Sequence, residues 1–410
     1  MHPSHPRRAF TLIELLVVIA IIAILAVVVV LVLNPAQLLA QSRDANRVSD
    51  MATLSSALNL YSTDQSGASG YTMGSSSVVY ASLPDASSTS CTDLGLPAMP
   101  TGYAWGCTTP QALRNASSSG WVPVDLKAIS SGSPLGSLPI DPVNSSSSRL
   151  FYTYTTNGTQ YEVTAAMEST KYRLGGSGDV IAGDGSSLAT VYAKGTNLAL
   201  EPLDYGDPSL VGYWPMDEGS GGIAYDYSGS GATGTWSGAQ IGTSGYYSPG
   251  YIGTWAGAFD GTTTKLISGQ SVALGMAYTI SAWVDPTVEP GQQPFFSNRA
   301  GGQIYFGTAG GSVFLYCNSC SPAAITGGTV PLSTWSMITA AISPSTITLY
   351  VNGVSEYSGT WVINSGGGTG TLMIGYDTIP NYWNGFIQGL RIYDRTLSSS
   401  EVAGLYHAQR

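Results

Sequence analysis

From Phe10 to Leu33 the chain runs for 24 residues with a single charge, Glu14. As a helix rising about 1.5 Å per residue the run is about 36 Å long, enough to cross the hydrocarbon core of a bilayer. Arg7 and Arg8 stand just before it. A basic stub leading into one apolar segment is the mark of a secretory signal or a membrane anchor. A secretory signal has a shorter apolar core, small residues after it and no acid inside it. A plain signal anchor spans equally well but has no use for Glu14. Carboxylates inside a membrane are costly, so their default reading is functional. The bland alternative is that Glu14 snorkels to the headgroups on the cytoplasmic side.

Length and composition bound the rest. At 410 residues the chain suits two domains plus the apolar segment. Charged residues make up 10%, against about a quarter in ordinary soluble domains, while Gly (51) and Tyr (25) are abundant. A polar, uncharged, aromatic-rich composition fits β-rich extracellular modules. The net charge of −10, with no basic patch after residue 50, excludes nucleic acid as a partner. His2 and His5 precede the apolar run and leave only His407, so Ser–His or Cys–His catalysis has almost nothing to work with. The expectation is that the chain is not an enzyme.

Four cysteines allow three pairings. Cys91 and Cys107 lie in one half, Cys317 and Cys320 in the other, which favours bonding within each half. A bridge from Cys91 to Cys107 closes a loop of about 15 residues, worth about 3 kcal/mol in the loop-entropy model. Cys317 and Cys320 could exchange as a redox pair. They follow the strand-like run 313–316 with no helix pattern after them, which favours a small structural bridge. Zinc would need two more ligands, and none is near in sequence.

After Asn34 and Pro35 the helix is expected to continue, with Pro35 as a kink. Val48, Met51, Leu54, Leu58 and Tyr61 form one apolar stripe at helical spacing, and Arg43, Asp44, Asn46, Arg47 and Asp50 take the other faces. Such a stripe backs a globular head. Short strand candidates such as 77–82 follow. The runs 150–156 and 159–165 flank Asn157-Gly158, which predicts a two-residue type I′ turn with Tyr154 opposite Tyr161 and Tyr152 opposite Val163. A boundary is expected at 195–209, where Gly and Pro break any period. Beyond it short strands at close spacing predict a sandwich. Ile280, Ala282 and Val284 alternate, and Ile347, Leu349 and Val351 run into the turn pair Asn352-Gly353. A strand over 386–393 and a Ser398/Glu401 capping box with a helix through Leu405 close the chain.

Two family resemblances organise these features. Residues 7–33 resemble the leader and core helix of type IV prepilins and type II secretion pseudopilins. In that family a prepilin peptidase cuts before a Phe, the new N-terminus is methylated and the fifth mature residue is Glu. Cutting between Ala9 and Phe10 makes Glu14 that residue; Ala9 stands where the family prefers Gly. The resemblance implies that Glu14 neutralises the N-terminal amine of a neighbouring subunit during assembly. The segment Arg43 to Tyr61 resembles the helix that packs on the pilin head. The run 138–142 resembles the loop before the pseudopilin sheet, near which some relatives bind calcium; Asp141 alone does not establish it here. The second resemblance rests on six motifs in order, at 211–220, 226–231, 258–261, 280–286, 349–354 and 390–394. Together they are similar to the laminin-G-like, concanavalin A-like jelly roll, which implies two packed antiparallel sheets and binding of sugar or protein.

The expected fold is an N-terminal long α-helix with an α+β pilin head, followed by an all-β jelly-roll sandwich. The expected parts are a leader at 1–9, a transmembrane or filament-core helix at 10–33, an amphipathic helix with β head at 34–200, and the jelly roll at 210–408. No residue pattern specifies a cofactor outright. The jelly-roll resemblance brings Ca²⁺ forward as a candidate, with Asp226 as its ligand, since calcium takes six to eight oxygens. The last strand, however, reads Ile387-Gln388-Gly389-Leu390 where relatives often carry acids, so calcium ligand and turn carboxylate both stay open for Asp226, while Asp260 reads as a turn carboxylate. For sugar, Tyr382 and Trp383, between Asn381 and Asn384, are the suggestive cluster, with Trp236 and Trp255 as others. The Glu-x-Asp-x-x-Glu strand of jelly-roll glucanases is absent, which argues against hydrolysis.

The reading is a structural subunit, minor or tip, of a type IV pilus-like filament that displays a lectin-like adhesive module. The alternatives are a type II secretion pseudopilin that contacts exported cargo, and an anchored carbohydrate-binding protein. The implied partners are other pilin subunits through the N-terminal helix, the prepilin peptidase, the inner membrane, and carbohydrate or extracellular protein. The precursor is expected as a single-pass protein of the bacterial inner membrane, and the mature form in an extracellular filament or periplasmic pseudopilus.

Overall fold

The computed structural model describes residues 11–289, 291–298, 304–363, 369–378 and 381–409, without the side chains of 28–33, 273 and 369. Two helices, not one kinked helix, open the chain: α1 (Leu12–Leu33) and α2 (Pro35–Gln65). The break falls at Asn34, in the left-handed region at φ 37°, whose side-chain oxygen accepts from the Gln37 N–H. Pro35 is then the first residue of α2, where its missing N–H costs nothing. The long single helix expected from sequence is corrected accordingly.

α2 lies on a five-stranded sheet of β1 (Val78–Pro84), β2 (Ala104–Thr108), β3 (Tyr152–Thr156), β4 (Tyr161–Ala166) and β5 (Val191–Gly195), in the order β2-β1-β3-β4-β5. Met51, Leu54, Leu58 and Tyr61 share one buried cluster with Tyr152, Tyr154, Tyr161 and Val163. The hairpin register differs by two from the sequence reading. Tyr154 opposes Val163 and Tyr152 opposes Ala165, because the loop holds four residues, 157–160. The Asn157 side chain accepts from the N–H groups of Thr159 (3.1 Å) and Gln160 (2.8 Å), closing the wider turn. A shift of two leaves every side chain on its own face, so the core is unchanged.

The stripe's polar neighbours are a second correction. Asp44 and Arg47 are fully buried. The Arg47 guanidinium donates to both oxygens of Asp141 (2.6 and 2.9 Å) and to Asp44 (2.7 Å). Asp44 in turn accepts from the Glu168 and Ser169 N–H groups, and Arg43 pairs with Glu168. This network fastens α2 to the loop before β3 and to the end of β4. In it both oxygens of Asp141 are engaged by the Arg47 guanidinium.

Beyond residue 209 two eight-stranded sheets face each other among the described residues. One runs through 354–360, 346–351, 336–342, 278–286, 384–393, 255–260 and 247–249, with 210–214 paired to 384–393. The other runs through 324–329, 312–317, 304–309, 292–297, 369–374, 265–273, 234–237 and 223–224. Ile280, Ala282, Val284, Ile347 and Leu349 point into the core between them. Val351 pairs with Val354 across Asn352 (φ 52°) and Gly353 (φ 79°), the two left-handed residues a type I′ turn demands. Helix α3 (Ser399–Ala408) starts in a complete capping box and lays Val402 and Leu405 on the outer face, over Trp283 and Met337.

The segment joining sheet and sandwich is buried from Glu201 to Gly206. The Arg391 guanidinium stacks 3.7 Å from the Tyr213 ring and faces Asp204 at 3.9 Å, while Arg395 pairs with Asp207. Gly175 of the first half packs so closely on Ser400 that a Cβ there would lie 2.5 Å from its backbone.

Candidate functional site

Among the described residues α1 presents a continuous run of exposed apolar side chains. Leu12, Ile13, Leu15, Ile22 and Ile24 stand more than half exposed, and no described element covers them. Among the described residues no helix is long and apolar enough to cross a membrane. The side chains of α1 are described only as far as Val27, so the spanning reading of 10–33 rests on the sequence. Ala9 and Phe10 lie outside the described residues.

Glu14 sits in the first turn of α1. Its Oε2 accepts from the Thr11 N–H (2.9 Å) and Oγ1 (2.8 Å), while the Glu14 N–H donates back to Thr11 Oγ1 (3.2 Å). These are the reciprocal bonds of a capping box. The Thr11-x-x-Glu14 spacing carries that signal, and the sequence reading passed over it. Oε1 makes no bond among the described residues.

In the sandwich several sequence candidates move. Asp226 is buried, and its oxygens accept from the N–H groups of Tyr213, Ser228 and Ala232 and from Ser230 Oγ. Four donors occupy its lone pairs, so it holds a loop together and is not poised for calcium. Among the described residues no group of three or more His, Cys, Asp or Glu is placed to hold a metal ion. Asp260 likewise accepts from the N–H groups of Thr262, Thr263 and Thr264. Trp383 is fully buried in the core, where its ring lies edge-on to Phe295, and Trp236 is buried there too. A side chain with no exposed face cannot stack on a sugar, which removes both from the ligand set. Tyr382 is half-buried against Tyr376, and Trp255 packs on the core edge. Cys91 is bonded to Cys107, and Cys317 to Cys320.

Gln388 shows what replaces the acids of the last strand. Its Oε1 accepts from the N–H groups of Tyr251 and Ile252 (3.0 Å each), and its Nε2 donates to the Ile252 and Trp255 carbonyls. A carboxylate could accept but could not donate. Gln388→Glu is expected to set a negative oxygen against two carbonyls and to lower sandwich stability by about 1–3 kcal/mol, measured by urea denaturation.

A buried acid pair lies beneath the joining segment. Glu162 accepts from the Leu200 and Glu201 N–H groups (2.8 Å each), and Glu201 from the Thr153 and Thr155 hydroxyls. Each keeps one oxygen without a partner. Burial pushes Glu162 up to about 8, Glu201 adding to the rise against the two N–H bonds, and burial pushes Glu201 to about 7. An unfolded chain releases the Glu162 proton near its ordinary value of 4.5. Between that pH and about 8 the folded state holds a proton the unfolded state has lost, so stability falls as pH rises. Glu162→Gln keeps the acceptor oxygen and removes the ionisation. It is expected to flatten part of that decline in thermal melts taken from about pH 5 to 8, with Glu201 supplying the remainder.

Comparison with known proteins meets this geometry at both ends. The prokaryotic N-terminal methylation motif matches residues 4–30, and the concanavalin A-like lectin/glucanases superfamily matches residues 257–403. The chain thus joins a pilin-type N-terminal motif to a concanavalin A-like domain. No curated protein matches it. Among solved structures, domain 4 of the extracellular GH43 arabinanase AbnA from Geobacillus stearothermophilus, in complex with arabinotriose, is 23% identical with a TM-score of 0.40; the match covers 48% of this chain and 98% of that one. The receptor binding domain of a botulinum neurotoxin C/D mosaic serotype is 14% identical with a TM-score of 0.39, covering 49% and 51%. The binding domain of Paraclostridial Mosquitocidal Protein 1 is 16% identical with a TM-score of 0.38, covering 48% and 52%. Likenesses at this level say nothing about a ligand.

Proposed function

We propose that the chain is a minor or tip subunit of a type IV pilus-like filament, non-enzymatic, with residues 210–408 as its adhesive, lectin-like module. Residues 1–9 are the leader, 10–33 the membrane-spanning and later filament-core helix, and 34–200 the pilin head. The observation that carries this reading is α1: an apolar helix, open along its described length, with one carboxylate in its first turn. Burial of that surface against neighbouring helices drives assembly at about 25 cal/mol per Å². Glu14, paired with the amine of an adjacent subunit, sets the axial register, since an opposite charge offsets the cost of placing a carboxylate in a dry core. A sandwich as large as the head suits a sparse or terminal subunit better than a densely packed one.

The test is to shear surface filaments from cells and probe them for this chain, beside a secretion assay on a deletion strain. Presence in the filaments supports the proposal. A secretion defect without surface filaments assigns the chain to a pseudopilus instead.

A further inference from the structure

Most of the outer face around the strand 384–393 is covered. Near the end of that strand Arg391 donates to the Ser187 carbonyl of the first half. Midway, α3 lays Tyr406 on Trp283, with ring centroids 5.5 Å apart. The other end stays open. Ile387 and Val284 enter the core, so Phe386 and Asp285, paired across the two strands, face outward. The Trp335 ring stands 6.3 Å from Phe386 and 6.2 Å from Tyr251, with interplanar angles of 35° and 26°. Tyr251 is 45% exposed and rests on Trp283 at 4.7 Å. Trp335 and Phe386 are half-buried, so all three rings keep surface in contact with water.

This aromatic ridge is held from beneath. The Tyr251 N–H donates to Gln388 Oε1 (3.0 Å), and the same oxygen accepts from the Ile252 N–H. Rings fixed in this way lose little freedom when a ligand settles on them. The segments 250–252, 283–287, 331–336 and 385–388 that build the ridge carry one charge, Asp285. With no Lys or Arg in them, the ridge has nothing to pair with phosphate, sulfate or carboxylate. Its free polar atoms are the Tyr251 hydroxyl and Trp335 Nε1, which make no hydrogen bond among the described residues; the Trp335 nitrogen also keeps contact with solvent. Aromatic faces edged by a hydroxyl and an N–H match a neutral sugar, whose ring has an apolar C–H face and a rim of hydroxyls. A protein partner of ordinary size buries about 800 Å² on each side, well beyond three part-covered rings.

We infer that this ridge binds a neutral polysaccharide chain, its sugar rings laid C–H face down on Tyr251, Trp335 and Phe386 and its hydroxyls meeting the Tyr251 hydroxyl and Trp335 Nε1. Its place suits adhesion. Tyr393, at the far end of the same strand, packs with Ala189 of the first half. At about 3.3 Å per residue Phe386 lies roughly 20 Å from it, clear of that junction. The inference rests on the adhesive reading above and names its site and ligand class.

The test runs the full chain in detergent micelles on native gels that contain hydroxyethyl cellulose, glucomannan, xylan, galactan or polygalacturonate, and reads affinity from the retardation. At least one neutral polymer is expected to bind about tenfold or more tightly than polygalacturonate. Trp335→Ala should weaken that binding about tenfold or more, as loss of a central aromatic anchor does. Tyr251→Ala, a change at an exposed side chain, should weaken it severalfold, and so should Trp335→Phe, which keeps a ring and removes Nε1. The inference is overturned if no neutral polymer retards the chain, if polygalacturonate does so equally, or if either alanine variant binds normally. Adhesion that Trp335→Ala abolishes while no neutral polymer binds would assign the ridge to a protein partner and overturn it too. Filaments that contain the chain and adhere normally with both alanine changes would sink this site while leaving the filament reading intact.

Discussion

Replacing Arg47 with methionine is expected to cost about 3–5 kcal/mol and to leave the first half of the chain largely unfolded at 37 °C. The guanidinium is fully buried and answers two fully buried carboxylates, Asp44 and Asp141, with the half-buried Glu168 at 3.4 Å. Its removal strands negative charge where water cannot reach it, which is why breaking a buried network costs far more than the network contributes to stability. The double variant Arg47→Met, Asp141→Asn should recover part of the loss, because an amide oxygen can still accept from the Val143 and Asn144 N–H groups that Asp141 now serves. Denaturant melts of the single and double variants check this. A loss below about 1 kcal/mol for Arg47→Met would mean that the cluster is hydrated in solution.

Glu14→Gln is expected to leave the precursor inserted and cleaved but to lower its share of filament subunits by about tenfold or more, as removal of a charge pair in a dry core requires. Glutamine serves as well as glutamate in a capping box, so this variant keeps the first turn of α1 and removes only the charge. Glu14→Ala removes both, and the cap alone is worth about 1 kcal/mol. Quantitative blots of sheared filaments separate the two roles. Normal incorporation of Glu14→Gln would reduce Glu14 to a helix cap.

What the sequence disclosed depends on how local the governing physics is. The alternations at 280–284 and 347–351, the Asn352-Gly353 turn and the Ser398/Glu401 cap are fixed by neighbours a few residues away, and all appear in the structure. Asn157-Gly158 was a sound turn signal, but the Asn157 side chain bonds two residues further on and widens the loop to four. At Asn34 the proline signal was visible, yet a kink and a clean break share that signal until the left-handed backbone is seen. Helical spacing puts Arg47 and Asp44 off the apolar stripe but does not show that they are buried; Arg47's partner Asp141 is 94 residues away in the chain. Trp383 reads as a ligand candidate because the pair Tyr382-Trp383 lies between two asparagines, although the bulk of tryptophan favours the core.

The pairing of Glu14 with a neighbour's amine requires that amine to sit at residue 10. Mass spectrometry of the N-terminal peptide from the exported protein tests this most directly. The account predicts a peptide that begins at Phe10 and carries a methyl group on its amine. A peptide that begins at Met1, or at any residue beyond Glu14, would contradict it.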